Sequence, residues 1–143
     1  MSLITLQSSP IVIKKNLTCY KIVEYGTLKS HGFNYYYKQN VALKSDLVLN
    51  ADNTVNKGFH FMSCYELCLD LLIGNPFYSN KNNSILECEI PVGSQVYMGI
   101  HGDIASDICI VQKVINNFVD DVRKVLASME NNCRILKSIE NED

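Results

Sequence analysis

Three side chains able to ligate a soft metal lie close together in the sequence: His60, Cys64 and Cys68. Imidazole nitrogen and thiolate sulfur are the donors that Zn²⁺ prefers. Cys64 and Cys68 are spaced i, i+4, so on a helix they share one face. That spacing is also part of an apolar stripe, Cys64, Leu67, Cys68 and Leu71, at i, i+3, i+4 and i+7. No C-x-x-C knuckle is present. The set fits core packing better than a metal site, and no metal or other cofactor is expected.

Two further sets could carry acid–base or nucleophilic chemistry. Ser63, His60 and Asp107 supply the residue types of a Ser/His/Asp triad. The nucleophile elbow G-x-S-x-G is absent, and Ser63 has another role open to it. Ser63 followed by Glu66 fits a capping box, with Ser63 as N-cap and Glu66 reaching back to its N–H. Glu87 and Glu89, two apart on a strand, share a face, and paired carboxylates can do acid–base work if one is desolvated. The simpler reading is the solvated side of a strand. Tyr35, Tyr36 and Tyr37 could stack bases, but consecutive strand residues point to opposite faces and cannot form one platform.

These residues need elements to position them. Leu17–Glu24 is rich in β-formers and reads as a strand. Phe33–Lys38 reads as a second strand, hairpinned onto the first. Lys57–Met62 is a short strand that runs directly into a helix, and Gly74-Asn75-Pro76 ends that helix. Leu86, Cys88 and Ile90 alternate with Glu87 and Glu89, the pattern of a half-buried strand. Gln95–Ile100 is another. Ile108–Val111 is continuously apolar, as expected of a central strand covered on both faces. The last element is a long amphipathic helix over about 116–139, capped by Asn116 or Asn117, with Asp120 and Asp121 at the positive end of its dipole. Its stripe runs Phe118, Val122, Val125, Leu126 and Met129, then Cys133, Leu136 and Ile139. The spacing approximates a heptad that Asn132 interrupts. The sum is an α+β fold: a mostly antiparallel or mixed sheet, a short central helix and a long C-terminal helix, in one domain of 143 residues.

Composition narrows the function classes. Thirteen basic against fifteen acidic residues give a net charge of −2, which argues against a nucleic-acid binder working by bulk charge. No apolar run has the length of a membrane span. The first residues, Met1-Ser2-Leu3-Ile4-Thr5-Leu6, do not read as a secretory signal, and none is expected. The six cysteines are irregularly spaced and mostly sit in apolar runs, which reads as reduced core thiols in a cytoplasmic protein, the host cytoplasm if the source is viral.

The order of signatures over residues 17–115 also resembles a known domain. It runs Tyr20-Lys21-Ile22, His31-Gly32-Phe33-Asn34-Tyr35, Lys57-Gly58-Phe59-His60-Phe61, a helix, Leu86-Glu87-Cys88-Glu89-Ile90-Pro91, Gln95-Val96-Tyr97 and Ala105-Ser106-Asp107-Ile108. This is similar to a small domain of viruses and phages and to the region preceding the repeats in giant-virus ankyrin proteins. The resemblance implies a viral source and a fold rather than an activity. More distantly, Phe61-Met62-Ser63, a helix and Ile90-Pro91-Val92-Gly93 resemble ADP-ribosyltransferases, in which an S-T-S strand precedes a helix and a V-P-x-G strand follows it. That likeness implies a cleft for NAD holding His60, Ser63 and Asp107. Met62 stands where that family has Thr, which favours the fold without the transferase chemistry.

The sequence therefore leads to a non-enzymatic viral accessory domain acting through contacts with a host or viral protein. It is expected to self-associate through Phe118, Val122, Val125, Met129 and Leu136, without binding nucleic acid or membrane. An NAD-using transferase and a small-ligand-binding domain are the alternatives.

Overall fold

The computed structural model describes residues 2–141. In chain order the elements are β1 (Leu3–Ile4), β2 (Ile11–Val12), β3 (Leu17–Glu24), β4 (Ala42–Lys44), β5 (Val48–Leu49), β6 (Thr54–Lys57) and β7 (Phe59–Met62). Then follow α1 (Tyr65–Gly74), α2 (Pro76–Ser79), β8 (Asn83–Ile90), β9 (Gln95–Met98), β10 (Asp103–Ser106), β11 (Ile108–Ile115) and α3 (Val119–Glu140). The fold is α+β. Its main sheet has the order β2-β9-β10-β7-β3-β8-β11-β4, and a smaller sheet has the order β1-β6-β5. The strand pairs in both are antiparallel.

The longest pairing of the main sheet joins β8 to β3 along the whole of both strands, from Leu17↔Ile90 to Glu24↔Asn83. Burial on both faces explains the consecutive apolar residues of β8: Leu86, Cys88 and Ile90 face one core, and Ile85 faces another. The first core also holds Cys19, Val23, Phe59, Phe61 and Val111, and Tyr35 and Tyr37 roof it. On the opposite face, α1 and the start of α3 cover Tyr20, Ile22, Ile85 and Met62. Beside them the small sheet packs Leu3 and Val55 onto Tyr97 and Ala105. Gly58 joins β6 to β7 at φ +124°, and a Cβ there would meet Leu47 Cδ1 at 2.7 Å. Only glycine relieves both constraints.

Four local expectations are corrected. Phe33–Lys38 is not a hairpin strand; only isolated bridges, Val23↔Ser30 and Lys29↔Tyr36, tie this loop. Leu28 and Asn40 at positive φ turn the chain on either side of it, so Tyr35 and Tyr37 plug the core from a loop. Ile108–Val111 is not the central strand: β11 lies between β8 and the edge strand β4. Cys109 and Val111 are buried, Ile108 and Ile110 only partly. Ser63 is not the N-cap of α1. Cys64 takes that position without a side-chain cap bond, because the Ser63 N–H is held by the Gly102 carbonyl at 2.9 Å and the helix starts one residue later. Finally, Phe118 rather than Asn116 or Asn117 is the N-cap of α3, and Asn116 accepts from the Ser84 hydroxyl.

Candidate functional site

The triad candidates do not converge. The β7–β10 register runs from Ser106↔Phe59 to Asp103↔Met62. Asp107 therefore lies past one end of this strand pair and Ser63 past the other, about 17 Å apart at the rise of a strand. The Asp107 carboxylate accepts from the Gln95 N–H at 2.9 Å, and Ser63 is exposed. His60 Nδ1 faces the Gly58 carbonyl at 3.0 Å, and Nε2 faces the Val55 carbonyl at 2.8 Å. A neutral imidazole can donate to one of them only. Protonation would satisfy both, but burial lowers the pKa. In either form both ring nitrogens face backbone carbonyls rather than Ser63.

The soft-ligand set is likewise dispersed. Cys68 is fully buried against Ile22, Leu69 and Ile85. Burial pushes its thiol up to about 12, which holds it in the protonated, non-ligating form. Cys64 is half-buried at the head of α1. No group of three or more His, Cys, Asp or Glu side chains among the described residues could hold a metal ion. All six cysteines are free, and Cys19, Cys68, Cys88 and Cys109 are buried. Glu87 accepts from Tyr20 Oη at 3.3 Å and pairs with Lys113 at 3.7 Å. Glu89 accepts from Gln112 Nε2 at 2.9 Å. Tyr35 and Tyr37 pack edge-on to each other at 4.9 Å and both contact Phe59, while Tyr36 is exposed. The three tyrosines thus offer no common platform for bases.

Two features stand out. One is a cavity of about 470 Å³ whose lining includes Lys21, Tyr35, Tyr37, Phe59 and His60. It opens where β3 and β7 part, since these neighbours share the single pair Tyr20↔Met62. Lys21 reaches across and donates to the His60 carbonyl at 2.9 Å, and its Nζ sits 5.8 Å from the centre of the Tyr37 ring. Sequence reasoning passed over Lys21. The available signal was strand alternation, which puts Lys21 on the face of Cys19 and Val23, where a solvated lysine does not belong.

The other feature is α3. Phe118, Val122 and Val125 pack into the core beneath α1, and Asp121 Oδ2 accepts from Tyr65 Oη at 2.6 Å. Beyond this the stripe has no cover: Leu126, Met129, Leu136 and Ile139 are 43%, 51%, 58% and 60% exposed. The five residues proposed for self-association therefore divide into three packed ones and two bare ones, Met129 and Leu136. No helix among the described residues is long and apolar enough to cross a membrane. Compared with protein families, curated proteins and solved structures, the chain finds no match in any of the three.

Proposed function

We propose that this protein is a non-enzymatic contact domain that pairs with a second copy of itself through residues 126–140 of α3. The observation that carries the reading is the spacing of the bare stripe. Leu126 and Ile139, and Met129 and Leu136, lie symmetrically about a point between Asn132 and Cys133. An antiparallel pair of helices crossing there sets Leu126 against Ile139 of the other copy and Met129 against its Leu136. Cys133 lies near the two-fold axis. Glu130 and Lys137, on one flank, fall close to their opposite-charge counterparts. This is the self-complementary patch that a two-fold dimer requires. Asn132 comes close to its own copy at the seam, where a single polar residue sets register at some cost in stability. The resemblance of residues 17–115 to small viral domains supports a viral accessory role in the host cytoplasm, with the dimer presenting the domain to a host or viral protein. The transferase alternative needs His60, Ser63 and Asp107 around one cleft, and their separation gives it no support.

Light scattering behind size-exclusion chromatography tests the pairing. The expected mass is twice the 16.2 kDa of the chain at high concentration, returning to one chain in Leu136→Glu with the circular-dichroism spectrum unchanged. A single-chain mass at every concentration overturns the reading. Orientation is read with Cys133→Ser chains carrying Met129→Cys or Leu136→Cys and a short bis-maleimide. The antiparallel pair crosslinks the two variants to each other, and a parallel pair crosslinks each variant to itself.

A further inference from the structure

We infer that Lys21 is the reactive amine of a carbonyl-binding site, taking up an aromatic aldehyde as an imine in the cavity between β3 and β7. The inference is independent of the pairing of α3, whose bare half lies outside the cavity lining.

The geometry supplies three reasons. First, an ammonium has three N–H donors, and Lys21 spends one on the His60 carbonyl. Apart from tyrosines, the titratable groups that share the cavity lining are Asp103, Lys44, His31 and His60, and among the described residues none forms an ion pair with the Lys21 Nζ. An unpaired lysine beside aromatic walls is the environment of an imine-forming lysine. Second, the cavity has the volume of a small-molecule site, and Lys21 is one of the residues that line it. Third, the wall beside the amine is aromatic. Tyr35 packs edge to face on both Tyr37 and Phe59 on one side of it, which favours a flat aromatic body. Burial accordingly lowers the Lys21 pKa from 10.5 to about 8. The neutral amine at neutral pH is then about 300-fold more abundant than on an exposed lysine.

The chemistry balances without an oxidant. The Nζ lone pair attacks the carbonyl carbon, and the carbonyl oxygen takes up a proton to give a carbinolamine. That oxygen leaves as water with the second amine proton, forming the C=N bond. A lysine that merely caps the His60 carbonyl where two strands part would do none of this, and it would be the slowest of the chain's lysines to react.

The test uses the whole chain, 4-hydroxybenzaldehyde as probe and cyanoborohydride to trap the imine, with peptide mapping of all eleven lysines. Lys21 should be labelled at least about tenfold faster than the exposed Lys14 and Lys38. p-Cresol, the same ring without the carbonyl, should slow Lys21 alone. The Lys21 rate should level off above about pH 8, while the exposed lysines continue to gain. Lys21→Arg, which keeps the charge and a donor for His60, should lose that adduct and no other. Labelling of Lys21 at or below the rate of Lys14 overturns the inference, as does a Lys21 rate indifferent to p-cresol.

Discussion

The two halves of α3 carry the same kinds of residue on the same face and meet opposite fates. Phe118, Val122 and Val125 are packed, while Met129, Cys133 and Leu136 continue their line into solvent. The difference lies beneath the helix. At ten residues α1 is about 15 Å long, and at twenty-two α3 is about 33 Å. The support ends before the stripe does. A hydrophobic stripe on a helix reports that a face needs a partner, and its length against the supporting element shows where the chain's own core stops supplying one.

Substitutions and pH can break that comparison. The largest effect belongs to the packed side of the molecule. Phe61→Ala, in the fully enclosed core, should cost about 3–5 kcal/mol in urea unfolding. Next is a rise of about one pH unit above pH 9. Burial raises the thiols of Cys68 and Cys109 from 9.0 to about 12. Above pH 9 the unfolded chain releases these protons and the folded chain holds them. Stability is therefore fully present below pH 9 and falls as pH rises toward 12, by up to about 1.4 kcal/mol per pH unit for each thiol. Urea titrations under reducing conditions at rising pH should show the fall, and Cys109→Ala should make it shallower by that thiol's share.

Smaller again is Tyr65→Phe, which removes the hydroxyl bound to Asp121 and unties α1 from the packed half of α3. A loss of about 1.5–3 kcal/mol is expected, since the acceptor is charged. The smallest effect on folding belongs to the bare half. Leu136→Ala should change the stability of the dilute single chain by less than about 0.5 kcal/mol while weakening the pair. A loss well above about 1 kcal/mol in the dilute chain would mean that the second half of α3 packs on its own domain, and the contrast between the halves would be gone.

Much of the fold was legible because its periodicities are local. The alternation at Leu86–Ile90 marked β8, and Gly74-Asn75-Pro76 ended α1 as read, with Asn75 accepting from the Phe77 N–H at 2.9 Å to start α2. The failures have physical causes. The strand-forming tyrosines at 35–37 pair only with residues 28–30 in an isolated bridge, because positive-φ residues turn the chain on either side. A capping signature at Ser63 loses to a tertiary bond from the same residue to Gly102. The candidate chemistry was the least legible. His60, Ser63 and Asp107 are compatible as types, but strand register sets them apart. Lys21 looks ordinary until the single β3–β7 pair leaves a gap for its side chain to cross.

By itself the sequence determined the α+β class, the existence of α1, β8 and α3, and the near-neutral charge. Each follows from composition or from contacts within a few residues. Tertiary structure alone decided that β11 runs beside the edge strand β4, that a lysine stands in an aromatic cavity, and where along α3 the core ends. Those outcomes depend on pairing between segments far apart in the chain, and local sequence does not encode which carbonyl is left without a strand partner or how far a neighbouring helix reaches.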